Sequence, residues 1–207
     1  MTPQQAPDTR IDRRQTRDAT EQRILDGTTR LLDGGASLAG LSINRIAEES
    51  GVSRATFYLH FGDKRALIAR LAETELRAFE SVTDPFIDDP NAGREKLADV
   101  MRKLAGVWRD HAGVLSSLIE LAEYDADSRE QWQTIVQAVA ANLAPAIRAR
   151  RTDLDEAQVI TLSEVIAWTG ERSMHQMIGR EASQQQIDRV AEGLTEAIWR
   201  IVAPAVR

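Results

Sequence analysis

The chain has 207 residues, 43% of them hydrophobic, and a formal net charge of −6. This composition supplies enough apolar surface for a packed core and excludes a disordered chain. The lack of cysteine excludes disulfides and thiolate metal sites. No apolar run approaches the roughly 18 residues that a membrane span needs, and the polar N-terminus lacks the apolar stretch of a signal peptide. We therefore expect a cytoplasmic protein that has no contact with a membrane.

The charge is distributed unevenly along the chain. Residues 10–70 carry 11 Lys and Arg against 8 Asp and Glu, a net charge of +3. Residues 81–207 carry 14 against 20, a net charge of −6. A basic segment joined to an acidic body is compatible with DNA binding through one end, although charged runs are most often solvated faces.

Residues 1–17 are predicted to form a disordered basic arm. The segment contains Pro3 and Pro7 and a cluster of arginines at Arg10, Arg13, Arg14 and Arg17. Two interpretations remain open, an arm that reaches into a minor groove of DNA and a plain solubilising tail.

Apolar residues recur at helical spacing almost everywhere, which predicts an all-α protein of about nine helices. The first helix is predicted to start near Asp18, which matches a capping box with Glu21, and to stop at the glycines after Asp33. Two short units follow, Leu41–Ser50 and Ser53–Phe61, with Ser42 and Ser53 as N-caps. Two short helices held by a preceding helix are the elements of a helix-turn-helix.

A long helix is predicted from Lys64 to the Asp84–Pro85 pair, where a domain of residues 18–63 gives way to a helical domain of residues 64–207. Five more helices are predicted near Arg94–Arg109, Ala112–Glu123, Ser128–Arg150, Asp155–Ile178 and Ser183–Val202. The last two starts match capping boxes, Asp153 with Glu156 and Ser183 with Gln186, and Gly179 separates these two helices.

The unit "SRATFYLHF" carries the chemistry of the first domain. We expect Phe57, Phe61, Ala55 and Leu59 to pack against neighbouring helices, with the remaining side chains facing DNA. Arginine can bind a guanine edge bidentately, whereas threonine, tyrosine, histidine and lysine can reach phosphates. Ser42 and Ser53 can combine capping with phosphate contact, and Tyr58 and His60 have packing as their alternative role. The candidate DNA-contacting set is Ser42, Ser53, Arg54, Ala55, Thr56, Tyr58, His60 and Lys64.

The stretch "LSINRIAEESGVSRATFYLHFGDKRAL", Leu41 to Leu67, resembles the DNA-binding signature of the tetracycline-repressor-like (TetR) family. The matching positions are Ile46-Ala47, Gly51-Val52-Ser53, Thr56, Tyr58, His60-Phe61, Lys64 and Leu67. Ser50, Ala55 and Arg65 depart from the residues common in the family. The resemblance implies an all-helical homodimer whose recognition helices enter successive major grooves of a palindromic operator. It also implies a C-terminal domain that binds a small molecule and dimerises through its last two long helices.

Four tryptophans lie on four different predicted helices of the second domain, at Trp108, Trp132, Trp168 and Trp199. They could line an apolar cavity, although an ordinary helical core is the other interpretation. The resemblance favours the cavity. The candidate ligand-binding set is Trp108, Tyr124, Trp132, Trp168, Glu171 and His175.

Trp168, Glu171 and His175 are spaced at i, i+3 and i+7, which places them on one helical face. If this face lines the cavity, Glu171 or His175 is its polar anchor. The order "WTGER" resembles the corresponding helix of the ethionamide-resistance regulator subgroup, which has an apolar, aromatic-lined tunnel, and this resemblance implies a ligand contact at Glu171. Alternatively, Glu171 and Arg172 belong to a set of salt bridges.

The last two helices carry apolar stripes that would form a four-helix interface with a second copy. These residues are Leu162, Val165, Ile166 and Met177, then Val190, Leu194, Ile198, Ile201 and Val202.

The sequence contains no nucleotide-binding loop, HExxH or CxxC motif, so we do not expect an enzyme or a cofactor. His60, His111 and His175 lack the spacing of metal ligands. The predicted function is a homodimeric repressor that binds a double-stranded DNA operator and is released by a small, largely apolar effector. A ligand-independent regulator and an activator remain the alternatives.

Overall fold

A computed structural model describes the backbone of residues 9–203 and the side chains of residues 15–203. All regular secondary structure in this range is helical, which confirms the all-α prediction of about nine helices. The helices are α1 (Thr9–Asp33), α2 (Ile43–Glu49), α3 (Arg54–Phe61), α4 (Lys64–Ile87), α5 (Arg94–Asp110), α6 (Ala112–Tyr124), α7 (Ala126–Arg150), α8 (Glu156–Met177) and α9 (Gln184–Val202).

The chain forms two compact units that divide between Ala69 and Arg70, inside α4. This division lies six residues after the predicted boundary at Lys64. The first turns of α4 belong to the N-terminal unit, where Leu67 and Ile68 are buried. A long helix therefore contributes side chains to both units.

The helix α1 begins at Thr9, well before the predicted start near Asp18. Residues 9–17 of the predicted disordered arm are therefore helical, and Asp18 lies inside the helix instead of capping it. Arginine and glutamine favour helix, and a helix that is already nucleated extends at little further cost. Residues 1–8 and the side chains of Arg10, Arg13 and Arg14 lie outside the described part of the chain.

In the N-terminal unit, α1, α2 and α3 pack against one another around a core that includes Ile24, Ile46 and Phe57. Both serine caps are confirmed. Ser42 Oγ accepts a hydrogen bond from the amide of Arg45 at 3.3 Å, and Ser53 Oγ accepts one from Thr56 at 3.0 Å. Gly51 and Gly62 adopt φ of +63° and +65°, so the turns around α3 use conformations that favour glycine.

In the C-terminal unit, α7 packs against α6 and α8, and α5 packs against α9. The prediction that α4 ends at Pro85 is wrong, because the helix continues through this proline to Ile87. Proline removes one backbone donor but does not always end a helix when packing holds both sides. No helix in residues 9–203 is long and apolar enough to cross a membrane.

The capping box of α8 is formed by Asp155 and Gln158, not by Asp153 and Glu156. Asp153 instead accepts hydrogen bonds from Arg151, at 2.8 Å. Because Asp153 is paired with Arg151, Asp155 is the residue that caps α8.

Ser183 caps α9 as predicted, with Oγ accepting the amide of Gln186 at 3.3 Å. The predicted capping box is not completed, because Gln186 Nε2 donates to the carbonyl of Met177 at 2.6 Å. This contact ties the start of α9 to the end of α8 instead.

The close approach of α1 to the end of α2 depends on Gly27. A Cβ atom at this position would lie 2.3 Å from Ser50 Oγ and 3.1 Å from Ser50 Cα. Ser50 cannot turn away freely, because its hydroxyl donates to the carbonyl of Ile46 at 2.7 Å and the residue is buried. The glycine therefore permits a helix–helix contact that any larger residue would push apart.

We predict that Gly27→Ala destabilises the N-terminal unit, although alanine is the better helix former by about 1 kcal/mol. The matched control is Gly106→Ala in α5, where a Cβ meets no atom within 4 Å. That variant should gain about 0.5–1 kcal/mol of stability. Chemical unfolding of both variants measures the difference, and equal gains would contradict the proposed close contact.

Candidate nucleic-acid interface and ligand cavity

The helix α3 divides its side chains between a buried and an exposed face. Phe57 and Phe61 are buried, as predicted, with their ring centroids 5.7 Å apart. Phe57 also meets Tyr58 edge-on at 5.8 Å. These contacts fix a helix of eight residues that would be marginal on its own.

The exposed face of α3 consists of Arg54, Ala55, Tyr58 and Leu59. The prediction that Ala55 and Leu59 pack inward is wrong, because both are exposed, the side chain of Leu59 to 78%. Residues 54, 55, 58 and 59 share one side of a helix, whereas Phe57 and Phe61 occupy another, since each residue advances by about 100°. A large apolar side chain held in water on this face is free to contact a partner.

Thr56 and His60 lie on the flank of this face and are half-buried. The hydroxyls of Thr56 and Ser53 are 2.8 Å apart, which adds a second contact to the cap. His60 Nδ1 is buried without a hydrogen-bond partner among the described residues. These two residues therefore border the exposed face without forming its centre.

Lys64 stands at the start of α4, and its Nζ donates to the carbonyl of Ala39 at 3.1 Å. Partial burial lowers the pKa of this ammonium group. The side chain therefore ties α4 to the segment before α2 while its charge remains close to the turn that follows α3.

The C-terminal unit encloses a cavity of about 120 Å³ between α4, α5, α7, α8 and α9. Its walls are mainly apolar and aromatic, with Phe79, Phe86, Met101, Trp108, Trp132 and Met174 among them. The volume is of the same order as the roughly 150 Å³ of an engineered apolar cavity that binds benzene. An apolar cavity with a few polar groups is the usual form of a small-molecule site.

Three predicted ligand-binding residues line the cavity, namely Trp108, Trp132 and Glu171. Tyr124, Trp168 and His175 do not line it. Tyr124 is 80% exposed at the end of α6. Trp199, the fourth tryptophan, is also absent from the lining.

The misassignment on α8 has a geometric cause. The cavity stripe of this helix is Ile166, Ala167, Gly170, Glu171 and Met174. Glu171 lies at the edge of the stripe, and Trp168 and His175 fall beyond that edge, because the helix turns by about 100° per residue. The shared face of Trp168, Glu171 and His175 is therefore real but points only partly toward the cavity.

Arg150, at the end of α7, is a cavity residue that the sequence pattern did not single out. Its guanidinium donates to the carbonyls of Ala146, Phe86 and Asp89 at 3.0, 3.2 and 2.6 Å. It also lies 4.3 Å from the centre of the Phe86 ring, a cation–π contact. Burial lowers the pKa of Arg150, and the charge of Asp89 opposes this effect.

Residues 24–71 match the family of bacterial regulatory proteins called the tetR family. Over 200 residues, which are 93% of this chain and 90% of the relative, the chain is 25% identical to the HTH-type transcriptional regulator EthR of Mycolicibacterium smegmatis. The match to the family includes α2 and α3, and α3 carries the exposed face.

Solved structures show the same fold. FadR of Bacillus subtilis, in complex with stearoyl-CoA, has a TM-score of 0.70 and 16% identity, covering 89% of this chain and 99% of that chain. A putative TetR-family regulator from Rhodococcus sp. has a TM-score of 0.69 and 18% identity, covering 89% and 98%. Another, from Mesorhizobium loti, has a TM-score of 0.66 and 19% identity, covering 89% and 97%.

Residues 24–71 therefore belong to the tetR family of bacterial regulatory proteins, and over most of its length the chain resembles TetR-family transcriptional regulators. Its DNA-binding helix-turn-helix is α2–α3, and its C-terminal helical unit contains the cavity. TetR-family regulators are generally transcription factors without catalytic activity. No group of three or more potential metal-ligating side chains occurs among the residues whose side chains the structure describes.

Three side chains of the cavity wall, Glu171, Trp108 and Arg150, have buried polar atoms without a well-aligned hydrogen bond among the described residues. These atoms are both carboxylate oxygens of Glu171, Nε1 of Trp108 and Nε of Arg150, and the indole of Trp132 still interacts with the carboxyl group of Glu171. Arg172 Nε lies 3.8 Å from Glu171 Oε2, too far for a hydrogen bond but close enough for an ion pair. The two sequence interpretations of Glu171 therefore overlap, since it faces the cavity and also has a cation nearby.

Burial raises the pKa of Glu171, and the charge of Arg172 and a hydrogen bond with the side chain of Trp132 oppose this rise. His175 has a pKa lowered mainly by burial. The folded protein therefore disfavours the charged form of Glu171 relative to the unfolded chain. The pKa of Glu171 is therefore higher in the folded state than in the unfolded state. The stability that this group contributes at low pH is lost as the pH rises through its folded-state pKa.

We predict that Glu171→Gln stabilises the protein more at pH 8 than at pH 5. The amide keeps the shape of the neutral acid and never carries the buried charge. Glu130→Gln is the matched control, because Glu130 is exposed on α7 and lies outside the cavity lining. Thermal unfolding of both variants across this pH range checks the sign, and a gain for Glu171→Gln that is larger at pH 5 would refute the assignment.

Proposed function

We propose that the protein is a cytoplasmic homodimeric repressor that binds a palindromic operator and is released by a small, largely apolar ligand. The observation that carries the proposal is the exposed face of α3, where Arg54, Ala55, Tyr58 and Leu59 project from a helix braced by two buried phenylalanines. Such a face is suited to entering a major groove of DNA.

The roles proposed for this face follow from its chemistry. Arg54 binds a guanine edge, and the exposed Leu59 and Ala55 contact thymine methyl groups. Tyr58 on the same face and the hydroxyls of the exposed Ser42 and Ser53 reach phosphate oxygens. Thr56, His60 and Lys64 border the face, and Lys64 supplies a positive charge for a phosphate.

The cavity supports binding of an apolar ligand in the C-terminal unit. Phe79, Thr83 and Phe86 of α4 line it, and the same helix begins in the DNA-binding unit. A ligand that binds better to one position of α4 shifts the population toward that position, and operator affinity falls by the same differential affinity. FadR of Bacillus subtilis, which has the same fold, was solved in complex with stearoyl-CoA, and this supports a ligand with a large apolar part here.

The homodimer is proposed to form through α8. This helix exposes four large apolar side chains, Ile160, Val165, Trp168 and Met177. The predicted contribution of α9 needs correction, because Val190, Leu194, Ile198 and Val202 are buried within the unit. The outer side of α9 instead has Gly193 and Ala197 exposed, which would let a partner helix approach closely.

The two alternatives, a ligand-independent regulator and an activator, share this DNA-binding face. Selecting bound duplexes from a random pool gives the operator, and a reporter gene placed behind it gives the sign of regulation. Apolar compounds that bind the protein but leave operator affinity unchanged would favour the ligand-independent regulator.

We predict that Arg54→Ala weakens binding to the selected operator by roughly 10- to 100-fold, because one base contact is lost. Binding to random duplex should change much less, so preference at one position of each half-site should relax. Arg129→Ala is the control, since it removes the same charge from an exposed site near the start of α7 in the C-terminal unit. Equal losses on operator and random DNA would place Arg54 on phosphate instead.

A second prediction concerns the dimer. Val165→Arg should shift the protein toward monomers, because it places a charge among exposed apolar side chains of α8. Ala149→Arg on the exposed side of α7 is the matched control and should remain dimeric. Sedimentation analysis with parallel operator binding measures both effects, and a Val165→Arg protein that stays dimeric would remove α8 from the interface.

A further inference from the structure

Lys64 differs in its surroundings from the other lysines of the chain, which are Lys96 and Lys103. The Nζ atoms of Lys96 and Lys103 lie 3.8 and 2.7 Å from carboxylate oxygens of aspartates. Nζ of Lys64 instead donates to the uncharged carbonyl of Ala39 at 3.1 Å, and it forms no ion pair with any residue that the structure describes. Lys64 is also half-buried, whereas the other two lysines are exposed.

These surroundings favour the neutral form of the Lys64 amine. Partial burial lowers the pKa of its ammonium group, whereas a neighbouring carboxylate stabilises an ammonium. Asp63, the acid next to Lys64 in sequence, accepts the amide of Ala66 at 2.8 Å and is thus engaged at the start of α4. A neutral amine can still donate one N–H to the carbonyl of Ala39 while its lone pair stays available. Since only the neutral amine is nucleophilic, Lys64 is the lysine best suited to attack an electrophile.

The charge around Lys64 favours an electrophile that is an anion. Arg65 follows it in the sequence and is exposed, and Arg54 is exposed on α3. Residues 10–70 as a whole carry a net charge of +3. A basic surface that suits the phosphates of DNA also attracts a small molecule that carries a phosphate group.

We propose that Lys64 is an acylation site for acyl phosphates, and that its acylation weakens binding to the operator. The amine attacks the carbonyl carbon of the acyl phosphate and forms a C–N bond. The C–O bond to phosphate breaks, phosphate leaves with the electron pair, and the amine loses a proton to solvent. The product is a neutral amide that keeps one N–H for Ala39 but has no positive charge for a DNA phosphate. The inference rests on the proposed operator binding and adds its regulation.

Acetyl phosphate is the probe for the first experiment. Full-length protein without DNA is incubated with it at neutral pH, and peptide mapping by mass spectrometry gives the rate of acetylation at each lysine. Lys64 should react about threefold or more faster than Lys103, because burial increases the neutral fraction of its amine. Adding the selected operator duplex beforehand should slow the reaction of Lys64 and leave that of Lys103 unchanged, since DNA phosphates would cover only the first amine.

A second experiment connects the modification with operator binding. Acetylation of the unaltered protein should weaken binding by about threefold to tenfold, to operator and random duplex alike, and reduce the salt dependence by about one phosphate contact per subunit. Treated Lys64→Arg protein should keep the affinity that it had before treatment, because arginine is not acylated under these conditions. Lys103→Arg is the matched control, and treatment should weaken its binding as much as that of the unaltered protein. Circular dichroism confirms that each treated protein is folded.

The outcomes separate this inference from the function on which it rests. Equal acetylation rates at Lys64 and Lys103, or a slower rate at Lys64, overturn the inference. Acetylation of Lys64 that leaves operator affinity unchanged overturns it as well, as does a treated Lys64→Arg protein that loses as much affinity as the unaltered one. The rate comparison uses no DNA, whereas the proposed function fails if untreated protein binds no duplex from the random pool.

Discussion

The DNA-binding unit depends on the burial of Phe57. This side chain is fully buried beneath α3 and contacts the rings of Phe61 and Tyr58. A helix of eight residues gains too few backbone hydrogen bonds to be stable alone, so tertiary packing must hold it. Because Phe57 holds the inner face, Arg54, Ala55, Tyr58 and Leu59 can stay in water at fixed positions. Ser53 and Gly62 then set where the helix begins and ends.

The C-terminal unit contains an apolar cavity, so the helices around it must be held apart. Aromatic rings on separate helices support the walls, and Phe79 and Trp108 stack at 5.7 Å. Arg150 adds hydrogen bonds between elements, because its guanidinium at the end of α7 donates to the carbonyls of Phe86 and Asp89. Buried polar groups that are fully bonded make a structure rigid.

Local chemistry was the most predictable part of the structure. The caps at Ser42 and Ser53, the all-α fold and the buried faces of Phe57 and Phe61 could be predicted because each depends on neighbours within about four residues. Leu59 was misassigned although the information was present: it is two residues from Phe57, which places it about 200° around the helix. Its apolar side chain favours the core, but its position on the helix places it in solvent.

Arg150 could not be found in this way, because its partners Phe86 and Asp89 lie more than 60 residues away in sequence. The stretch "RARR" offers three similar arginines at Arg148, Arg150 and Arg151, and only tertiary packing buries one of them. The cap of α8 shows the same limit, since Asp153 and Asp155 are alternatives until Arg151 engages the first. Trp168 and His175 were placed on a helical face correctly, but which side of α8 faces the cavity depends on the other four helices.

Arg150 connects the cavity wall to the end of α4. Its Nε has no hydrogen-bond partner among the described residues, while a second nitrogen of the same planar guanidinium donates to the carbonyls of Phe86, near the end of α4, and Asp89, just beyond it. Because the guanidinium is a rigid plane, any displacement of Nε would change these two bonds together. The ring of Phe86 both stacks on Arg150 and lines the cavity. The cavity wall and the last turn of α4 are thus joined through a single side chain.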